Sequence, residues 1–124
     1  MKPFCEIIVA DILPALRALI TKELMQLGLN QIQIAKKLGI TQPAVSHYMR
    51  ELRGQRVKLL MSNESVIEAV KILAHEIATG SMEAADMHIK LCGICKKIRE
   101  EQLLCRLHKE SYPSIGTCYI CFKP

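Results

Sequence analysis

The chain has 124 residues, half of them hydrophobic, a net charge of +5, 4% aromatics and no tryptophan. That length fits one domain, or a small domain with an appendage, and its core must come from Leu, Ile, Val, Ala and Met. A small core of this kind often gains stability from a partner subunit or a metal. No apolar run reaches the roughly 18 residues of a membrane span, and the apolar start MKPFCEIIVADILPAL is interrupted by Glu6, Asp11 and Pro14, unlike a secretory signal. The expected location is the cytoplasm, where clustered cysteines bind metal more often than they form disulfides.

The first element is predicted over residues 11–27. Leu13, Leu16, Ile20, Leu24 and Leu27 recur at three- and four-residue spacing, with Pro14 tolerated in the first turn and Gly28 near the end. Such an amphipathic helix is suited to pack behind the segment 31–50. Cys5, isolated near the start, is expected to be a small buried hydrophobe.

Residues 31–50, QIQIAKKLGITQPAVSHYMR, read as two short helices around a tight turn. Ile34, Ala35 and Leu38 give the first helix one apolar stripe, and Gly39 can take the left-handed conformation that ends it. Thr41 is a good N-cap for the second helix, and Pro43 falls in its first turn, where a missing N–H is harmless. Val45 and Tyr48 supply the buried side of that helix, while Gln42, Ser46, His47 and Arg50 form a polar, hydrogen-bonding exterior. The pattern is that of a helix-turn-helix aimed at duplex DNA. An ordinary helical hairpin would leave the polar exterior unexplained.

Charge points the same way. Residues 1–58 carry nine Lys and Arg against four Asp and Glu, whereas residues 59–124 carry eight of each. Lys36, Lys37, Arg50, Arg53, Arg56 and Lys58 gather around the motif, as phosphate neutralisation requires. The expected DNA-contacting set is Gln31, Lys36, Thr41, Gln42, Pro43, Ser46, His47, Arg50 and Arg53. Gln42, Ser46 and His47 are placed on base edges, and Lys36, Arg50 and Arg53 on phosphates.

Residues 51–64 look like a junction, with Gly54 and the polar set Ser62, Asn63 and Glu64. A helix is predicted over 65–80 with Val66, Val70, Leu73 and Ile77 on one face, then a short one over 82–91 capped by Ser81. This pair is the expected dimerisation element. Two-fold pairing sets two recognition helices about one DNA turn (~34 Å) apart, although the same helices could simply complete the monomer core.

Five of the six cysteines fall in the last 33 residues: Cys92, Cys95, Cys105, Cys118 and Cys121. Cys92-Gly-Ile-Cys95 and Cys118-Tyr-Ile-Cys121 are two C-x-x-C pairs. Two such turns can complete a tetrahedral four-thiolate set for an iron–sulfur cluster or for Zn²⁺. The segment KKIREEQLLCRLHKE between them reads as helical, so a zinc ribbon fits poorly, and apolar neighbours such as Leu91, Ile94, Ile120 and Phe122 suit a shielded iron–sulfur cluster, which is preferred here. Cys105 is surplus. A continuous helix from Cys95 to Cys105 would separate them by ~15 Å, a conflict that the sequence leaves open. Cys105-x-x-His108 could be a further ligand pair, but i, i+3 spacing also arises by chance, and His108 is expected at the surface near a helix C-terminus.

The first 58 residues resemble an archaeal family of predicted transcriptional regulators with a Cro/repressor-type (XRE) helix-turn-helix. The resemblance is carried by Cys5-Glu6, Leu13-Pro14-Ala15-Leu16-Arg17, Gly39 and Thr41-Gln42-Pro43-Ala44-Val45-Ser46. It extends more loosely to a cysteine-rich tail, and it implies sequence-specific DNA binding through Thr41, Gln42, Ser46, His47 and Arg50.

The sequence thus predicts an all-α chain: a helix-turn-helix DNA-binding domain over 1–58, dimerisation helices over 59–90 and a small Cys-rich metal-binding tail over 91–124. The expected function is a homodimeric transcriptional regulator acting on double-stranded DNA, its iron–sulfur cluster sensing redox or iron status. It is not expected to be an enzyme, and no membrane or small-molecule partner is evident. The alternatives are a purely structural Zn²⁺ site and, more remotely, a C-x-x-C thiol oxidoreductase at Cys92 and Cys95.

Overall fold

The computed structural model describes residues 3–80, 82–116 and 118, and every regular element among them is helical. Eight α-helices occur in order: α1 (Phe4–Ile7), α2 (Leu13–Gln26), α3 (Gln31–Leu38), α4 (Gln42–Arg50), α5 (Gln55–Met61), α6 (Glu64–Thr79), α7 (Ala84–Glu100) and α8 (Cys105–Ser111). A π-helical stretch over Ile8–Ile12 joins α1 to α2, and the Leu13 N–H bonds back to the Ile8 carbonyl. Pro14, in the first turn of α2, has no N–H to offer Ala10, and the wider π turn absorbs that loss.

The middle of the fold is α2. Ala15, Leu16, Ala18, Leu19, Ile20, Thr21 and Leu24 are all buried, a band wider than the single stripe read from the sequence, because α2 touches α3, α4, α5 and α6. Thr21 satisfies its buried hydroxyl by donating to the Arg17 carbonyl at 2.8 Å. Leu27, expected on the buried stripe, is instead exposed beyond the end of the helix. Cys5, expected inside, is exposed on α1.

Helices α2, α3 and α7 end alike. In each, two backbone bonds close a left-handed turn: Leu29 N–H to Leu24 O and Gly28 N–H to Met25 O; Ile40 to Ala35 and Gly39 to Lys36; Leu103 to Ile98 and Gln102 to Arg99. Gly28 and Gly39 hold the positive φ in the first two. In the third, Gln102 holds it at 63°, the one non-glycine residue with positive φ among those described. The prediction of one helix through residues 96–110 therefore gives way to two, α7 and α8, with the break at Gln102.

The junction expected over 51–64 is mostly helix as well. A 3₁₀ turn (Glu51–Arg53) leads to α5, whose Val57 and Leu60 are buried against the core, so the boundary read at residue 58 falls inside an element. Arg56 on α5 pairs with Asp11 across 3.5 Å. Helix α6 begins at the N-cap Asn63 and buries Val66, Val70, Leu73 and Ile77, the four residues predicted, together with Ala74. That face packs largely on α2 of the same chain. The next helix is longer than expected, running 17 residues from Ala84, and its predicted cap Ser81 lies outside the described residues.

Replacing Gln102 by glycine keeps the left-handed turn and removes the cost of about 1 kcal/mol that the conformation imposes on a side-chain-bearing residue. Q102G is expected to be more stable than the parent by that order, read as a raised midpoint in thermal or urea unfolding.

Candidate nucleic-acid interface

Local chemistry fixes both helices of the motif. Asn30 caps α3 by accepting from Gln33 N–H at 2.9 Å, while the Gln33 side chain accepts from Asn30 N–H at 2.9 Å, a reciprocal capping box. Gly39, at φ 69°, turns the chain. Thr41 Oγ1 accepts from Ala44 N–H at 3.2 Å and opens α4, with Pro43 in the first turn as expected. Ile34, Ala35 and Val45 are buried between the two helices and α2, while Tyr48 is half-buried with the Arg17 guanidinium 5.6 Å from its ring centre.

The opposite face of α4 presents Gln42, Ser46, His47 and Arg50. Gln31, at the start of α3, reaches across to this face. Its Oε1 accepts from the Gln42 amide and from Ser46 Oγ at 2.9 Å, its amide faces Met49 Sδ at 3.3 Å, and the Gln42 amide lies 3.3 Å from Ser46 Oγ. Gln31 is thus a brace between the two helices, and it spends its polar groups on residues placed at the base edges. A cleft beside the network is lined by Gln31, Ser46, Met49, Arg50 and Arg53. His47 pairs with Glu51 one turn on, at 3.3 Å.

The basic residues divide by what they touch. Lys36, Arg50, Arg53 and Lys58 are exposed. Arg56 is engaged by Asp11, and Lys37 Nζ donates to the Gly80 carbonyl at 3.0 Å, tying α3 to the end of α6. Both were counted with the motif's cations on sequence grounds; neither partner could be foreseen from spacing.

The cysteines are placed differently from a pair of C-x-x-C turns. Cys92 and Cys95 lie one turn apart on the continuous helix α7, the first exposed and the second half-buried. Burial pushes the Cys95 thiol pKa up, and the neighbouring Cys92 adds to the rise. With the helix broken at Gln102, the expected ~15 Å helical separation of Cys95 from Cys105 does not arise. Cys105 sits on α8 and, with His108 and Cys118, lines a cavity of about 20 Å³. His108 is buried, at 9% exposure, rather than at the surface as expected. Cys121 lies outside the described residues. Among those described, no three His, Cys, Asp or Glu side chains are grouped closely enough to hold a metal ion, and no helix is long and apolar enough to cross a membrane.

With this geometry in hand, comparison with known proteins gives one match. A family model described as helix-turn-helix matches residues 20–62, from within α2 to just beyond α5, about a third of the chain. No curated protein and no solved structure matches. Residues 20–62 are accordingly similar to a helix-turn-helix domain, and every regular element among the described residues is helical.

Because the Cys95 pKa lies above its unfolded value of about 8.5, the associated stability is complete below that value and is lost as pH rises through the folded-state pKa. In a timed alkylation at mildly alkaline pH read by peptide mass mapping, Cys92 is expected to react several-fold faster than Cys95.

Proposed function

We propose that this protein is a sequence-specific DNA-binding transcriptional regulator that lays α4 in the major groove. The observation that carries this reading is the outer face of α4, where Gln42 and Ser46 are held by Gln31 beside exposed Arg50 and Arg53. An amide fixed before binding loses less side-chain freedom when it meets a base edge. Thr41 and Lys36 join Arg50 and Arg53 on phosphates, Pro43 sets the start of α4, and His47 adds a base contact once released from Glu51.

The regulator acts as a homodimer, and its own groove between α6 and α7 supports this. Ala69, Ile72, Gly93 and Ile94 line the groove, with Glu76 on the α6 side and Lys90 and Lys97 on the α7 side. Glu76 and Lys90 pair with each other across the groove at 3.8 Å, so it is the apolar floor of the groove that a second copy would cover about a two-fold axis. Because the predicted α6 stripe is spent inside the protomer, the exposed Ile72 on α6 and Ile89 on α7 are the apolar residues that these two helices offer a partner. The thiol-rich end is a metal centre in this reading, supported by the two C-x-x-C pairs of the sequence and by Cys105 and Cys118 lining one small cavity. Its occupancy would be coupled to operator affinity, which metal-loaded and metal-stripped protein would then not share.

An operator selected from random duplexes allows a titration against selected and scrambled DNA at several salt concentrations. Q42A is expected to cost about 1–3 kcal/mol on the selected site and little on scrambled DNA. R50A is expected to weaken both and to lower the salt slope by about one. If Q42A left discrimination intact, α4 would not be the reader. Light scattering of the same preparations checks the dimer: I72E is expected to give monomers that bind the operator more weakly, and a monomeric parent would refute the pairing.

A further inference from the structure

Behind the helix-turn-helix lies an apolar cavity of about 450 Å³ that the outer face of α4 does not use. Its walls come from elements far apart in the sequence. Helix α2 contributes Arg17 and Ile20, one turn apart on the same face, and α6 contributes the buried Ile77. Helix α7 packs on α6 and lines the cavity with Met87, His88 and Leu91. The remaining wall belongs to the motif itself: Gly39 and Ile40 of its turn, and Tyr48 on the inner side of α4. The cavity therefore lies between α7 and the part of the motif that sets how α4 is presented.

Size and lining fit a small molecule. The volume is within the range of ligand sites, whose walls are mostly apolar with a few polar groups that fix orientation. Here those polar groups share one sign. Arg17 and His88 are exposed at the cavity, and no Asp or Glu is among the described residues that line it. The groove between α6 and α7 differs, because Glu76 lines it together with Lys90. Arg17 is also steadied, with its guanidinium 5.6 Å from the centre of the Tyr48 ring. A guanidinium held beside an apolar space complements an anion with an apolar body, and its planar fork matches a carboxylate with two parallel bonds.

We propose that this cavity binds a small apolar monocarboxylate, with the carboxylate on Arg17, an N–H of His88 as a further donor, and the apolar body between Ile20, Ile77, Met87 and Leu91. An occupant here touches α7 and the motif at once, and so joins two parts that the empty cavity keeps apart. Its contacts with Ile40 and Tyr48 couple it to α4. That coupling rests on the DNA-binding reading, whereas the site itself does not. Ligand and operator then change each other's affinity by the same factor.

The test is calorimetric titration of the full chain, without DNA, with octanoate and 4-phenylbutyrate, and with 1-octanol as the neutral counterpart of octanoate. Saturable binding of at least one acid at one site per chain is expected, tighter than that of octanol. R17Q, at an exposed position, is expected to weaken the acid about ten-fold and to leave octanol unchanged. A84W places an indole at the cavity from an exposed position on α7 and is expected to weaken acid and alcohol alike. No saturable binding of either acid at millimolar concentration, or binding intact in A84W, would overturn the site. Equal binding of octanol and octanoate, or no effect of R17Q, would overturn the carboxylate as its ligand. In a second titration, saturating acid is expected to change the affinity for the selected operator about five-fold or more. An unchanged affinity would overturn the coupling and keep the site, and acid binding by a chain that binds no DNA would do the same while also refuting the DNA-binding reading.

Discussion

The structure depends on the burial of α2 on nearly every side. Leu16, Ala18 and Leu24 are fully enclosed, and α3, α4, α5 and α6 are each positioned by where they meet this helix. A helix enclosed this way tolerates little: truncating one of its leucines costs about 2–5 kcal/mol in a comparable core. The angle at which α4 is presented is set by that packing through Val45 and by the Gly39 turn. The outer face of α4 is thus held by the hydrophobic centre of the molecule, in which α6, far along the sequence, packs on α2.

A second constraint works at the level of single hydrogen bonds. Gln31 sits on α3, yet the groups it satisfies are on α4. Two helices joined only by apolar contacts can slide slightly without losing much energy, whereas a three-way amide and hydroxyl network has directional bonds that report small displacements. The network is at the edge of the motif and is partly exposed, so each bond contributes little to net stability. Its effect is on side-chain placement at the outer face of α4.

The parts that could be read from the sequence were those governed by local rules. The Gly39 turn, the Thr41 cap, Pro43 in the first turn and the α6 stripe of Val66, Val70, Leu73 and Ile77 each depend on neighbours within a few residues, and each is present. Helix α5 escaped notice because it offers only two turns between Gly54 and polar residues, and the burial of Val57 and Leu60 is decided by α2 and α6. The α7–α8 break escaped because Gln102 is not a residue that usually takes positive φ. A C-x-x-C pair is compatible with either a turn or one turn of helix, so Cys92 and Cys95 could not reveal their setting.

Charge shows most clearly how far composition falls short of an interface. The N-terminal half has a basic excess, but two of its cations bond at the surface to groups of neighbouring elements. Arg56 bonds Asp11 and so fastens α5 to the π-helical entry of α2; Lys37 bonds the Gly80 carbonyl and so fastens α3 to the end of α6. Both links bind the motif to elements that flank it. Lys36, Arg50, Arg53 and Lys58 are exposed on and beside the motif and take no part in these two links. A count of Lys and Arg would therefore overstate the charge available to phosphates, and the salt dependence of any DNA complex should track the smaller set. The Lys37 link ties α3 to the end of α6, and the buried side of the motif packs on α2, so the helix-turn-helix shares its core with the helices around it.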